Sequence, residues 1–256
     1  MFDAHVHLER LLDPSLAIAR AREAGVRGFL MPSVDPEGWS KQLAIGKENA
    51  DVHIAWGLHP WFAALRSADE RLIDLAALRT QCEKKRPVAL GEMGLDHHPH
   101  FDKKTWVAQE KAFVAQLAMA HLLDLPIILH VVRSHGTCLQ ILRDMGVPKR
   151  GGMVHGFSGS KESALDYVRL GLHVSFSGSI TKRQFKKARE AASTIPRSHL
   201  LIETDAPDQT PSGWSKEDNE PASLPLILNC IATLRGEDPL DVARETEQNA
   251  RKLFQI

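Results

Sequence analysis

Short apolar runs alternate with longer stretches in which apolar residues recur at helical spacing, and this alternation spans the chain. The short runs predict eight strands at 2–7, 28–32, 53–59, 88–92, 126–130, 152–155, 172–176 and 200–203. The Ile127-Ile128-Leu129 core of the fifth predicts burial on both faces. Helical patterns lie between the runs, clearest at 105–123, with similar ones at 16–24 and 239–254. Strands that alternate with helices predict parallel βα units. Eight of them predict a (β/α)8 TIM barrel, a single domain over 1–256. An open doubly wound sheet is the alternative, but no GxGxxG follows the first strand to favour a dinucleotide site. The stretch 206–221 is rich in Pro, Ser, Gly, Asp and Asn and reads as a loop, and a helical pattern follows it.

Length agrees with that architecture, since the chain has 256 residues and such barrels run to about 250. Formal net charge is zero. No global basic field exists, which argues against tight non-specific DNA binding. A polyanionic substrate stays open, because a bound metal supplies strong local positive charge. Cys82, Cys138 and Cys230 form no CxxC pair and are odd in number, which fits a reducing compartment. Met1 leads into acidic and histidine residues instead of a basic signal region. No apolar run reaches the roughly 18 residues of a membrane span. A cytoplasmic protein with no membrane association and no stable protein partner is expected.

The chemistry collects at strand ends, where barrels of this kind place their active sites. His5 and His7 end the first strand, Glu92 the fourth, His130 the fifth and His155 the sixth; Asp205 follows the eighth by two residues. Side chains at i and i+2 of a strand share a face about 6.6 Å apart. Two imidazoles so placed can converge on one ion at about 2.0–2.1 Å. Asp3 shares their parity and is a candidate supporting partner. Glu92 lies between Gly91 and Met93-Gly94, and the glycines are expected to leave room around its side chain. Its two oxygens could bridge two cations. No lysine ends this strand, since Lys84 and Lys85 come too early, so a carbamylated lysine is not the bridge. Taken singly, each residue has a plainer reading: a hydrogen-bonded core histidine, a solvated loop acid, an aspartate opening a turn. Six together at strand ends favour the metal site.

These residues sit in motifs that resemble the TatD family of metal-dependent hydrolases, within the wider amidohydrolase-like barrels. The motifs are Asp3-Ala4-His5-Val6-His7, Gly57-Leu58-His59-Pro60, Gly91-Glu92-Met93-Gly94-Leu95-Asp96 and Leu125-Pro126-Ile127-Ile128-Leu129-His130. His155-Gly156-Phe157-Ser158-Gly159, Glu203-Thr204-Asp205-Ala206-Pro207 and Asn249-Ala250-Arg251-Lys252-Leu253-Phe254 complete the series, in order. The resemblance implies two metal ions, one held by His5, His7 and Asp205, the other by His130 and His155, with Glu92 bridging. It also implies nuclease activity, since family members are described as DNases. Three rim positions depart from the family pattern: His97 and His98 after Gly-Leu-Asp, Asp208 after Asp-Ala-Pro, and Asp218 before Asn219-Glu220-Pro221.

The expected function is therefore a divalent-metal-dependent phosphodiesterase or deoxyribonuclease that uses metal-bound hydroxide at a two-metal site. Asp205 and Glu92 are the expected catalytic groups, and DNA or a small phosphodiester is the expected substrate. Four imidazoles suit Zn²⁺, while carboxylates with water suit Mg²⁺ or Mn²⁺. His59 and Arg133 are candidates for substrate binding. For His59 the alternative is packing against Trp61; for Arg133 it is a surface ion pair. Asp96 reads as a supporting or turn residue and Ser158 as a helix cap. Lys182-Arg183-Gln184-Phe185-Lys186-Lys187 reads as a solvated helix face, and His97, His98 and His100 as an exposed loop. An amidohydrolase-type enzyme acting on a small ester, lactone or amide is the alternative function. A non-catalytic metal-bound partner protein is a third class, disfavoured by the complete ligand set.

Overall fold

A computed structural model describes residues 1–216 and 218–256. Seven parallel strands form one sheet in chain order: β1 (Phe29–Pro32), β2 (Val52–Trp56), β3 (Ala89–Asp96), β4 (Ile127–Val132), β5 (Gly152–Val154), β6 (Leu172–Phe176) and β7 (Leu200–Ile202). The helices are α1 (Pro14–Glu23), α2 (Trp39–Glu48), α3 (Pro60–Leu65), α4 (Ala68–Lys85), α5 (Trp106–Leu123), α6 (His135–Met145), α7 (Lys161–Arg169), α8 (Lys186–Thr194), α9 (Leu224–Arg235) and α10 (Pro239–Phe254). The runs expected at 172–176 and 239–254 coincide with β6 and α10. No helix among the described residues is long and apolar enough to cross a membrane.

The first expected strand, 2–7, is not a regular strand. Only Asp3 forms a bridge, to Phe29 of β1. The segment nonetheless bonds on both sides. Val6 N donates to Leu30 O of β1 (3.0 Å), and Ala4 N donates to Ile202 O of β7 (3.1 Å). Ladder geometry fails because the buried Asp3 carboxylate stands where a backbone carbonyl would. It accepts from Thr204 N (2.9 Å) and Thr204 Oγ1 (2.5 Å). Two other boundaries move. β2 stops at Trp56, so His59 lies beyond it as the N-cap of α3. β3 runs on past Glu92 to Asp96. Ser158 caps nothing; the cap of α7 is Ser160, whose Oγ accepts from Ser163 N. The loop expected at 206–221 carries only a short 3-10 turn at its end, with position 217 outside the described residues.

Alternation along the strands divides the core in two. One side of the sheet packs against the helices through Phe29, Met31, Trp56, Leu90, Leu129 and Val174. The other side is a smaller layer, to which Leu30, Ala55, Ala89, Ile128, Met153 and Leu201 contribute one residue from each of six strands, with Phe2 and Phe254 closing it. Each fully buried large side chain stabilises the fold by about 1.5–3 kcal/mol.

Helix α5 carries two buried glutamines seven positions apart, hence on one face. Gln116 Oε1 accepts from Leu58 N (2.7 Å) and its Nε2 donates to Leu58 O (3.0 Å). Gln109 Oε1 accepts from Asp96 N (2.7 Å) and its Nε2 donates to Asp96 O (3.0 Å). Backbone groups of Leu58, in the loop after β2, and of Asp96, at the end of β3, are thereby satisfied, which a buried backbone group requires.

Two histidines that are not among the expected ligands set an acid limit on stability. Burial pushes His135, at the start of α6, down to about 4. Burial and then the neighbouring His199 push His173, on β6, down to about 4. The unfolded chain binds these protons near pH 6.5, the folded one only near 4. Their stabilisation is thus complete above pH 6.5 and is lost as pH falls towards 4. Between pH 7.5 and 5 each is expected to account for a loss of about 2 kcal/mol. Urea unfolding of His173→Gln beside the wild type should show a shallower loss; equal slopes would refute the assignment.

Candidate metal centre

Alternation that buries one apolar layer also builds the polar layer above it. Two residues past Ile128, Met153 and Leu201 come His130, His155 and Glu203, returned to the same face and buried. Glu92 arrives by a different route. Between Leu90 and Met93, β3 carries one more residue than β4, a bulge that re-aims the side chain. Gly91 and Gly94 flank it at φ +146° and +137°. A Cβ on Gly91 would stand 2.5 Å from Ile128 O, and one on Gly94 would run into His130 O. The space the glycines provide is thus filled by the β4 backbone and is not left around the carboxylate.

His5 and His7 come from the irregular first segment. Asp205 N donates to His5 O (2.9 Å) and His7 N donates to Ala206 O (2.9 Å), so the two ends of the site are stitched together. Asp205 sits at φ +57°, which Asp tolerates better than most residues. Buried Asn219 holds this turn, with Nδ2 donating to Thr204 O (2.9 Å) and Asp208 O (2.7 Å). Its Oδ1 accepts from Ser223 Oγ (2.7 Å). Asn219→Ala leaves several buried groups unpaired and is expected to cost about 2–3 kcal/mol. Melting of the variant together with metal titration tests this, with weaker metal uptake expected alongside the lower Tm.

All six expected ligands meet, and Glu92 is their centre. Its Oε1 lies 2.7 Å from His155 Nε2 and 2.8 Å from His130 Nδ1. Those two nitrogens are 3.0 Å apart. Its Oε2 lies 3.4 Å from His5 Nε2 and 3.6 Å from His7 Nε2. Asp205 Oδ1 is 3.7 Å from each of these nitrogens, which are 3.3 Å from one another. Donors bound to one ion at about 2.0–2.1 Å stand about 3.4 Å apart in a tetrahedron and about 2.9 Å apart at right angles. The observed spacings, 2.7 to 3.7 Å, bracket these two values. Glu92 Oε2 is buried and without a hydrogen-bond donor. Facing imidazole lone pairs at these distances need a proton or a cation between them. Three overlapping groups, His5–His7–Glu92, His59–Glu92–His130 and His5–His155–Asp205, are each close enough to hold an ion. The residues therefore fit divalent metal.

Three of the four rings face a carboxylate on their far side, the kind of partner that aims metal-binding imidazoles, while His5 Nδ1 is buried without a hydrogen-bond partner. His130 Nε2 is 3.0 Å from Asp96 Oδ2, which turns Nδ1 towards Glu92. Asp96 also accepts from Trp61 Nε1 (2.6 Å) and His98 N (2.7 Å). His155 Nδ1 faces Glu203 Oε1 at 3.4 Å, and that oxygen accepts from Gly156 N (2.5 Å). His7 Nδ1 faces Glu9 at 3.5 Å. Strand-end patterning alone assigns no role to Glu203 or Glu9. A signal for Glu203 was present, because it shares strand parity with Asp205 and closes an apolar run.

His59 is buried and turned inwards, its Nε2 3.3 Å from Glu92 Oε1 and 3.2 Å from His130 Nδ1. Its Nδ1 accepts from Trp61 N (3.0 Å). A neutral ring bonded in this way carries its proton on Nε2, which makes His59 a hydrogen-bond donor to the centre and sets it apart from the ligating rings. Arg133 stands exposed just past β4 at φ +53° and makes no ion pair among the described residues. It lines a cleft of about 1460 Å³ that opens over the cluster. Lys182 also lines this cleft, from a turn ahead of α8, while Lys186 and Lys187 are exposed on the helix. Asp208, at the departing rim position, pairs with Arg10 (2.6 Å). Glu220 forms a two-pronged pair with Arg20 (2.7 and 2.8 Å).

Charge in the cluster is balanced within it. Burial opposes ionisation of Glu92, yet His155, His59, His5 and the His130 hydrogen bond hold it well below the usual carboxylate range. Burial pushes His5 and His59 down to about 4. Against burial, Glu9, Glu92 and Asp205 raise His7 to about 9, and Glu92 with Glu203 raise His155 well above its ordinary value. Burial raises Asp205 to about 7, opposed by His155 and His7. A divalent cation would supply the same positive charge and leave the rings unprotonated.

A family model described as TatD related DNase matches residues 2–255. The chain is 32% identical to the Escherichia coli protein described as uncharacterized metal-dependent hydrolase YjjV, over 95% of this chain and 92% of that one. It is 34% identical to the 3'-5' ssDNA/RNA exonuclease TatD of Erwinia tasmaniensis, over the full length of both. The crystal structure of YjjV, a TatD homologue from Escherichia coli, superposes with a TM-score of 0.92 at 31% identity, covering 100% of this chain and 98% of the other.

Proposed function

This chain belongs to the TatD family of metal-dependent hydrolases, and from that premise we propose that it is a phosphodiesterase acting on single-stranded nucleic acid at a two-metal centre. The observation that carries this reading is Glu92, whose two oxygens each face a separate set of donors. His5, His7 and Asp205 would hold one ion, His130 and His155 the other, with Glu92 shared. Zn²⁺ suits the imidazoles, and Mg²⁺ or Mn²⁺ the carboxylates. The bonds from the first segment to both β1 and β7 support a closed eight-membered barrel in one catalytic domain, with the site at its C-terminal mouth.

When bound, such ions lower the pKa of water and neutralise charge on a phosphoryl oxygen. The protein's own groups do the rest. Asp205, whose Oδ1 lies 3.7 Å from both His5 Nε2 and His7 Nε2, is placed to accept a proton from the attacking water. His59 Nε2–H and the Arg133 fork donate to phosphate oxygens. Asp96 and Glu203 keep the His130 and His155 rings fixed while charge develops.

The test is incubation of metal-loaded protein with end-labelled single-stranded DNA and RNA, with and without chelator. Cleavage that chelator and His5→Ala both abolish is the expected result. Turnover of lactones or carboxyl esters without nucleic-acid cleavage would overturn the reading in favour of a small-molecule hydrolase.

A further inference from the structure

One wall of the cleft is aromatic. Trp61, His98, His100 and Phe101 all line it. Trp61 remains 46% exposed, although three contacts fix it. Its Nε1 donates to Asp96 (2.6 Å), and its ring meets His59 edge-on (4.8 Å between centroids) and His130 edge-on (6.0 Å). Phe101 lies against it at 5.9 Å and 31°. A large indole left open to a polar cleft gives up burial worth about 25 cal/mol per Å². Here the indole is also immobilised, so little side-chain entropy remains to be lost on binding. Arg10, Lys182 and Arg133, which suit phosphates, line the same cleft, as do Glu92, His130, His155 and Asp205 of the cluster beneath it.

We propose that Trp61, backed by Phe101, is the stacking platform for the unpaired base of the nucleotide whose phosphate enters the metal centre, and that it selects single strands. The inference rests on the phosphodiesterase reading above. Base stacking on an aromatic face requires a base free of its partner and tolerates any base. A duplex base pair is not available to it. The Trp61–Asp96–His130 hydrogen-bond chain adds a second consequence, because the residue that holds the base also orients a ring at the reacting centre. Trp61 is thus a binding residue through its face and a positioning residue through its N–H.

The two parts separate experimentally. Metal-loaded protein is assayed on oligothymidylates whose end nucleotides are either natural or abasic, and kcat and KM are measured for each. The wild type is expected to favour natural ends about tenfold or more in kcat/KM, carried mainly by KM. Trp61→Ala should erase the preference. Phe101→Ala should reduce it without disturbing the bond to Asp96. Trp61→Phe should keep most of the preference while lowering kcat on both substrates, since the face survives and the N–H does not. A Trp61→Ala protein that still prefers natural ends, or a wild type indifferent to abasic ends, overturns the platform. A wild type that cuts neither oligonucleotide refutes the phosphodiesterase reading itself, and the platform falls with it.

Discussion

Asp205→Asn is expected to lower turnover by about two to four orders of magnitude, the range for loss of a positioned acid–base group, while leaving the fold intact. Asparagine matches aspartate in shape and is among the few residues at ease at φ +57°. The Asp205 N–H bond to His5 O and the Asn219 clamp on Thr204 and Asp208 do not involve the altered atom. What disappears is the negative charge of a carboxylate 3.7 Å from both His5 Nε2 and His7 Nε2, together with its capacity to take a proton. Steady-state rates on single-stranded DNA and on bis-p-nitrophenyl phosphate, at matched metal content and with the melting temperature as control, make the comparison. Turnover within a fewfold of wild type at equal occupancy would remove Asp205 from the mechanism.

Glu92→Gln should do more damage, to stability as well as to activity. Five imidazoles face this carboxylate, at 2.7 to 3.6 Å. An amide keeps the shape and removes the charge, leaving buried cationic rings without their counter-ion. Loss of one partner from a buried charged set costs about 3–5 kcal/mol. Metal affinity should fall by more than the roughly 10–100-fold typical of a merely supporting group. Chelator competition reads the affinity and urea unfolding the stability. In metal-free protein the stability loss should shrink as pH rises above 9, where His7 has shed its proton. Unchanged metal binding would show that Glu92 is not shared between two donor sets.

Much of this site was readable from strand alternation, and the unread part depended on contacts across long sequence separations. His130, His155 and the Glu203–Asp205 pair follow from period-two patterning over short apolar runs, which is local. The β3 bulge depends on β4 lying alongside, so nothing within Gly91-Glu92-Met93-Gly94 reveals that the strand continues to Asp96. The first segment reads as a strand because apolar Phe2, Ala4 and Val6 alternate with polar Asp3, His5 and His7. It bends because Asp3 answers to Thr204, 201 positions away. The inward turn of His59 is set by the Trp61 amide and by Gln116 on α5, and neither bond has a sequence signature. Asn219 was legible only as part of a motif, and its task of holding the Asp205 turn emerges from its three hydrogen bonds.

That 201-residue reach also orders events during synthesis and folding. Two donors of the first proposed set, His5 and His7, precede every strand of the sheet, whereas Asp205 follows only after the last of them, β7. Closing so long a loop carries its entropic cost before any contact returns it. His5 and His7 must therefore wait, unpaired, through most of the chain's emergence. Capture of an ion by this proposed set would report that the two ends have met in register.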